Sequence, residues 1–254
     1  MAGQRSERVG PGSRGLSFGS VAELYERYRP GYPDDVVDAV LRYAGRPVRT
    51  AVEVGAGTGK ATRLFASRGI AVTAVEPDPD MARVLDRTVR GLPVQPVVAT
   101  FEQFVTARRF DLLYAAAAWH WTDRATRWTR TVELLVPGGV VALFGRPGEL
   151  TDPDLAAAVA EVERALPDDG APGLRPWSPA ESADVPGLTD RVQLDLPGTV
   201  LTAADEYVGR LATVSAYLML DPEVREDTLR QVRAVLPERV ELDSTVRLSL
   251  ARAV

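Results

Sequence analysis

Two acidic residues and three glycines are spaced as they would be around a small charged ligand. Glu53 lies inside a short apolar run, and Gly55, Gly57 and Gly59 follow it. Glycine at these positions lets the backbone turn sharply and lets a ligand approach without meeting a Cβ atom. Glu76 ends a second apolar run about twenty residues further on, where a carboxylate accepts both hydroxyls of a ribose. The spacing therefore predicts a nucleoside-binding site.

The positions of the glycines and of Glu53 indicate which nucleoside compound binds. A dinucleotide fingerprint, G-x-G-x-x-G, needs its third glycine under a pyrophosphate. In this chain that position is Lys60, and the third glycine comes one residue earlier. A carboxylate at Glu53 would repel a pyrophosphate but would attract a ligand that carries an ammonium group and a sulfonium. A plain glycine turn does not account for both acids, so the pattern favours S-adenosylmethionine.

His120 is the candidate catalytic residue, because it is the only histidine and follows the fourth predicted strand. An imidazole has a pKa suited to a general base that deprotonates a methyl acceptor. In the alternative interpretation, Trp119, His120 and Trp121 form an aromatic floor and the imidazole bonds to the backbone. Methyl transfer is an in-line displacement in which alignment alone suffices for many acceptors, which favours the aromatic floor.

Alternating strands and helices must position these residues. Apolar runs predict strands at 50–54, 71–75, 94–99, 110–115 and 140–144, with helices between most of them. This alternation predicts a doubly wound parallel sheet that binds ligands at the carboxyl ends of its strands. The flanking patterns predict helices at 20–28, 33–43, 153–166, 203–219 and 222–235, and strands at 193–200 and 245–250.

The composition is that of an ordinary soluble protein. The chain has 254 residues, 45% of them hydrophobic and 26% charged, and a net charge of −5. No basic stripe is present, which argues against nucleic acid as a partner. The absence of cysteine excludes thiolate chemistry, and a single histidine excludes a His-rich metal site, so no metal is expected. No apolar run has the length of a membrane span and no signal peptide precedes the domain, so we expect a cytoplasmic protein with no membrane partner.

Composition shifts divide the chain into a tail and one domain. Residues 1–19 are rich in glycine, serine and arginine and are predicted to be a disordered tail. Residues 20–254 are predicted to form a single domain. Its parts are N-terminal cap helices at 20–45, a cofactor-binding core at 48–146, and cap segments with the terminal strands at 147–254.

Six motifs in this order resemble those of the class I S-adenosylmethionine-dependent methyltransferases, most closely the small-molecule group related to the trans-aconitate and quinone-biosynthesis methyltransferases. The matching segments are 28–33, 53–59, 76–81, 100–102, 110–113 together with 119–121, and 135–139. The resemblance implies a Rossmann-like, seven-stranded, mostly parallel sheet with an antiparallel strand 7 and a helical cap over the carboxyl edge. Residues 192–200 and 245–250 fit strands six and seven.

The resemblance also implies which residues bind. Those assigned to the cofactor are Arg29, Glu53, Gly55, Ala56, Gly57, Thr58, Gly59, Glu76, Pro77, Met81, Thr100, Phe101, Glu102, Ala116 and Trp119. Those assigned to the substrate pocket are Tyr28, Tyr32, His120, Trp121, Tyr207 and Tyr217. Many relatives have an aspartate at or near position 100, so the adenine amino group is left to Glu102 or to backbone carbonyls.

Several of these side chains have a second interpretation. Arg29 either pairs with the cofactor carboxylate or is a solvated surface residue. Trp119 and Trp121 either shield the sulfonium and wall the acceptor pocket or pack in the core. Tyr207 and Tyr217 share a helix face and either line the acceptor pocket or pack in a helix interface.

The expected protein is therefore an enzyme, a methyltransferase of small-molecule or secondary metabolism. It would turn S-adenosyl-L-methionine into S-adenosyl-L-homocysteine, working as a monomer or homodimer on an acceptor pocket roofed by 20–33, 151–187 and 203–220. The alternative is a protein that binds S-adenosylmethionine without transferring methyl, either structurally or for a rearrangement or cyclisation. An NAD-dependent oxidoreductase is the third possibility.

Overall fold

A computed structural model describes residues 15–164 and 185–254. The helices are α1 Ala22–Tyr28, α2 Asp34–Ala44, α3 Lys60–Ala66, α4 Pro79–Thr88, α5 Arg127–Leu134, α6 Pro153–Arg164, α7 Ala204–Leu211, α8 Ser215–Leu218 and α9 Pro222–Val235. The strands are β1 Thr50–Val54, β2 Ala71–Glu76, β3 Val94–Val98, β4 Phe110–Ala116, β5 Leu135–Gly145, β6 Leu188–Leu196, β7 Thr199–Ala203, β8 Arg239–Asp243 and β9 Val246–Ala253. Short 3₁₀ helices cover Gly15–Val21 and Trp119–Trp121.

Seven strands form one sheet in the order β3-β2-β1-β4-β5-β9-β6. Strands β1 to β5 are parallel, whereas β9 runs antiparallel to both of its neighbours. The predicted mostly parallel sheet with an antiparallel last strand is therefore confirmed. Strand order reverses between β1 and β4, and the crevice outside their carboxyl ends is where such sheets bind ligands.

The two faces of the sheet bury separate apolar clusters because successive strand residues point to opposite sides. Ala51 packs with α2 and α3 through Val40 and Phe65, whereas Val52 packs on the other face with Phe110. A third cluster lies among α6 to α9 and β8, so the cap has a core of its own. Within the described ranges, no helix is long and apolar enough to cross a membrane.

Two predicted elements differ from those observed, and one observed strand was not predicted. The single strand predicted over 193–200 is two strands, β6 and β7, separated at Pro197-Gly198. Proline cannot donate to a strand ladder, and β7 instead pairs with β8, a strand that the sequence pattern did not predict. The helix predicted over 203–219 is interrupted between α7 and α8.

The division into a tail at 1–19 and a single domain at 20–254 stays a prediction. Within the tail predicted at 1–19, a 3₁₀ helix already begins at Gly15, and its Gly19 N–H donates to Asp78 at 3.0 Å. Residues 1–14 of that tail lie outside the described residues. So do residues 165–184, which hold much of the roof segment predicted at 151–187.

Candidate functional site

The loop between β1 and α3 turns through three glycines in the left-handed conformation. Gly55, Gly57 and Gly59 have φ angles of 68°, 57° and 91°. A Cβ atom on Gly55 would lie 2.5 Å from Ala118, and one on Gly59 would lie 2.8 Å from Leu85. The nearest atom to a Cβ on Gly57 would be a Met81 methyl at 3.7 Å. Packing thus requires Gly55 and Gly59, whereas a Cβ atom at Gly57 would make only an ordinary contact with Met81.

A cavity opens at this loop, outside the carboxyl ends of β1, β4 and β5. The N-terminal segment and α7 complete its walls, in accordance with the predicted roof at 20–33 and 203–220. The lining residues are Tyr25, Arg29, Pro30, Tyr32, Glu53, Gly55, Ala56, Gly57, Thr58, Lys60, Ala61, Ala116, Ala117, Arg146 and Arg210.

Glu53 is a buried carboxyl group on the wall of this cavity, with 1% of its surface exposed. Its Oε2 accepts hydrogen bonds from the hydroxyls of Thr62 at 2.5 Å and Tyr114 at 3.0 Å. Its Oε1 has no partner among the described residues. Burial raises the pKa of Glu53 to about 8. The free oxygen suits a site that receives a cation, because a nearby positive charge would stabilise the ionised carboxylate that burial alone disfavours.

The Glu76 carboxylate accepts a hydrogen bond from the backbone of the glycine loop. Its Oε2 accepts the Gly57 N–H at 2.7 Å and its Oε1 accepts the Asp78 N–H at 3.0 Å. Burial raises the pKa of this carboxyl to about 7. Each carboxylate oxygen keeps a further lone pair for a ligand hydroxyl, so the ribose assignment of Glu76 stays a prediction.

The three residues assigned to adenine follow β3 and are not among those lining the cavity. Phe101 is buried in the sheet core, and Thr100 Oγ1 accepts the Gln103 N–H at 3.2 Å. Glu102 accepts the N–H of Asp123 at 2.8 Å. Its carboxylate therefore closes the loop after the 3₁₀ helix, and its adenine contact stays a prediction. Next to α4, Pro77 is half-buried, while Met81 packs with Ala22 and Val84 under Phe18.

The Trp119–Trp121 turn packs inward. Trp119 has 2% of its surface exposed, and its ring contacts those of Phe101 and Trp128 at tilted angles, so it packs in the core. The His120 ring lies 4.5 Å from that of Trp121, and neither residue is among those lining the cavity. Burial, assisted by the charge of Arg127, lowers the pKa of His120 to about 4. The imidazole is therefore neutral at physiological pH but a weak base.

Of the tyrosines assigned to the acceptor, Tyr32 lines the cavity and packs edge-on to Phe144 at 4.9 Å. Tyr28 packs against Gly209 of α7, where a Cβ atom would come within 2.6 Å of its ring. Tyr207 and Tyr217 belong to the cap core, and the Tyr217 hydroxyl donates to Glu163 at 2.6 Å. The cap-packing interpretation thus describes both of these residues.

Three arginines line the cavity, and the sequence patterns predicted only the first. Arg29 donates to the Thr213 hydroxyl at 2.9 Å and to the Thr213 carbonyl at 3.0 Å. Arg146, directly after β5, donates to the Gly31 carbonyl at 2.6 Å, and Arg210 of α7 donates to that of Gly148. No local pattern marks Arg146 or Arg210, although the position of Arg146 at the end of a core strand was a usable signal.

Comparison with known proteins relates this chain to methyltransferases. The family model described as a methyltransferase domain matches residues 52–143. An uncharacterized methyltransferase of Mycobacterium tuberculosis (strain H37Rv) is 31% identical over 247 residues, covering 92% of this chain and 91% of the relative. The trans-aconitate 2-methyltransferase of Methylobacterium radiotolerans is 29% identical over 131 residues, covering 51% of this chain and 50% of that enzyme.

A solved structure shares the fold over nearly the whole chain. It is that of a proposed type II methyltransferase from Anaeromyxobacter dehalogenans, with a TM-score of 0.57 and 24% identity. The match covers 89% of this chain and 97% of the other. It confirms the Rossmann-like architecture predicted from the sequence.

Proposed function

The chain belongs to the S-adenosylmethionine-dependent methyltransferases, and we propose that it transfers the methyl group of this cofactor to a small-molecule acceptor at the carboxyl edge of the sheet. One observation carries the proposal. The buried Glu53 has one oxygen without a partner among the described residues, and it lies on a cavity that the glycine loop also lines. A cationic ligand bound beside Gly57 could donate a hydrogen bond to this free oxygen of Glu53.

Each wall of the cavity offers one kind of contact to the methionyl end of the cofactor. Glu53 would accept from its ammonium group, and the backbone at Gly55 and Gly57 permits close approach. Arg29 already lines the cavity and would pair with its carboxylate. Glu76, next to the loop, would accept the ribose hydroxyls.

Catalysis in this arrangement rests on alignment and charge. The bound cofactor supplies an activated methyl group on a sulfonium. The residues at the end of β4, Ala116 and Ala117, have small side chains and leave room for an acceptor beside the glycine loop. Tyr32 and Pro30 cover the cavity from the N-terminal side and limit access of water. The weakly basic His120 lies outside the lining, so we assign it no proton transfer.

The proposal is tested by binding first and turnover second. Calorimetry with S-adenosylhomocysteine should show one site per chain, and a small-molecule cell extract with S-adenosylmethionine should yield protein-dependent S-adenosylhomocysteine. Absence of cofactor binding would refute the proposal. Binding without product in any extract fraction would favour the alternative, a protein that binds the cofactor without transferring methyl.

A further inference from the structure

An excess of positive charge surrounds the cavity. Three guanidinium groups, those of Arg29, Arg146 and Arg210, line it from three separate segments of the chain. Their hydrogen bonds go to the Thr213 hydroxyl, to backbone carbonyls and, for Arg210, to the side chain of Tyr207. Within the described ranges, no carboxylate forms an ion pair with any of the three. They are half-buried cations that have no counter-ion among the residues the structure describes.

The other charged residues of the cavity do not neutralise this excess. Lys60 is a fourth cation, and it is already paired with Glu26 at 3.3 Å. Glu53 is the one carboxyl group among the lining residues. Burial raises its pKa to about 8, so it contributes little negative charge while no ligand is bound. With the cofactor bound it would pair with the ammonium group and would neutralise neither Arg146 nor Arg210.

The guanidinium groups are close enough to repel each other. Burial lowers the pKa of Arg210 to about 10, and the charges of Arg29 and Arg146 lower it further. Burial also lowers the pKa of Arg146. Uncompensated buried charge is unfavourable unless a partner of opposite sign arrives, so the cluster is arranged to receive an anion.

The cofactor supplies only part of the missing charge. S-adenosylmethionine brings one carboxylate, which the proposed function assigns to Arg29, together with an ammonium and a sulfonium that are themselves positive. Arg146 and Arg210 then remain without an anion, and each keeps free N–H donors, including the buried Nε of Arg210. A planar fork of donors matches a carboxylate or phosphate group.

Building on the proposed function, we propose that Arg146 and Arg210 bind an oxyanion group, a carboxylate or a phosphate, on the methyl acceptor. The acceptor is then an anionic small molecule held by this group while its nucleophile lies beside the cofactor. The two arginines determine specificity, and neutral analogues of the acceptor would be rejected because they leave the buried guanidinium groups unpaired.

The test uses protein saturated with S-adenosylhomocysteine and two simple probes. Citrate and inorganic phosphate are titrated separately at constant ionic strength, with Arg146→Gln, Arg210→Gln and the charge-retaining Arg210→Lys compared with the wild type. Arg230→Gln is the control, since Arg230 is exposed on α9 and pairs with Asp227. We expect about tenfold weaker oxyanion binding in each Gln variant, partial recovery in Arg210→Lys and no change in the control.

The outcomes separate the two proposals. Citrate binding alone identifies a carboxylate acceptor group, and phosphate binding alone identifies a phosphate. Normal S-adenosylhomocysteine binding, with oxyanion binding absent or equal in all variants, overturns the oxyanion proposal and leaves the proposed function intact. Parallel loss of S-adenosylhomocysteine affinity in the Gln variants assigns these arginines to the cofactor and also overturns it. Absence of S-adenosylhomocysteine binding in the wild type refutes the proposed function itself.

Discussion

Replacement of Glu53 by glutamine should make the ligand-free protein more stable at alkaline pH. The glutamine oxygen can still accept from the Thr62 and Tyr114 hydroxyls, while the ionisable group is lost. Burial raises the pKa of Glu53 from its ordinary 4.5 to about 8. The folded protein therefore holds a proton that the unfolded chain releases, and this lowers the free energy of unfolding as pH rises from 4.5 to 8. The variant lacks this dependence.

The size of the effect follows from the shift in pKa. One pKa unit corresponds to about 1.4 kcal/mol, so the full shift at Glu53 sets an upper limit of about 5 kcal/mol at pH 8 and above. Between pH 6 and pH 8 the stability difference between variant and wild type should grow by about 2 kcal/mol. For a chain of this length, that growth corresponds to roughly 5–10 °C in Tm.

Thermal unfolding of wild type and Glu53→Gln at pH 6, 7 and 8, without ligand, measures this difference. Glu23→Gln is the control, because Glu23 is exposed beside Arg87, which lowers the pKa of this carboxyl, so it does not titrate in this window. The control should keep a constant offset from the wild type. If Glu53→Gln also kept a constant offset from the wild type, the conclusion that burial raises the pKa of Glu53 would be refuted.

The same variant should bind the cofactor less well. Glutamine offers no negative charge to an ammonium group, and loss of one charge-assisted hydrogen bond weakens binding by about tenfold or more. Calorimetry with S-adenosylmethionine at pH 8 measures the loss. A variant that is more stable and binds with unchanged affinity would remove Glu53 from the site.

Three further substitutions test the remaining assignments. Glu76→Ala should weaken cofactor binding by about 2–3 kcal/mol, since it removes a charge-assisted pair of hydrogen bonds, and unchanged calorimetric affinity would contradict the ribose assignment. Gly57→Val should abolish cofactor binding. Gly69→Val is the control, because Gly69 has a similar positive φ and open space around it; it should lower the Tm through backbone strain but leave binding unchanged. Equal cofactor binding by both variants would mean that the loop is only a turn. His120→Gln should reduce kcat at most about tenfold. Titration of His120 should not affect the pH–rate profile of the wild type above pH 6, because the pKa of His120 is about 4. A hundredfold loss of kcat with cofactor affinity intact would identify His120 as a general base.

The sequence by itself determined the cofactor half of the molecule. The β1 strand, its glycine loop and α3 occupy adjacent positions, and the left-handed φ angles of Gly55, Gly57 and Gly59 are a local requirement that glycine alone meets easily. Likewise, apolar runs alternating with helical segments were enough to predict the doubly wound sheet, because burial on both faces leaves a strong local pattern.

Only the tertiary structure determined which side chains meet at the cavity. Arg146 contacts Gly31 across 115 positions of the chain, and Arg210 contacts Gly148 across 62. Similarly, β7 pairs with β8 across the whole of α7 to α9, and Trp119 turns into the core instead of the site. Contacts of this kind depend on how separate elements pack, and an arginine or a tryptophan has the same local sequence pattern whether it faces a ligand, the core or water.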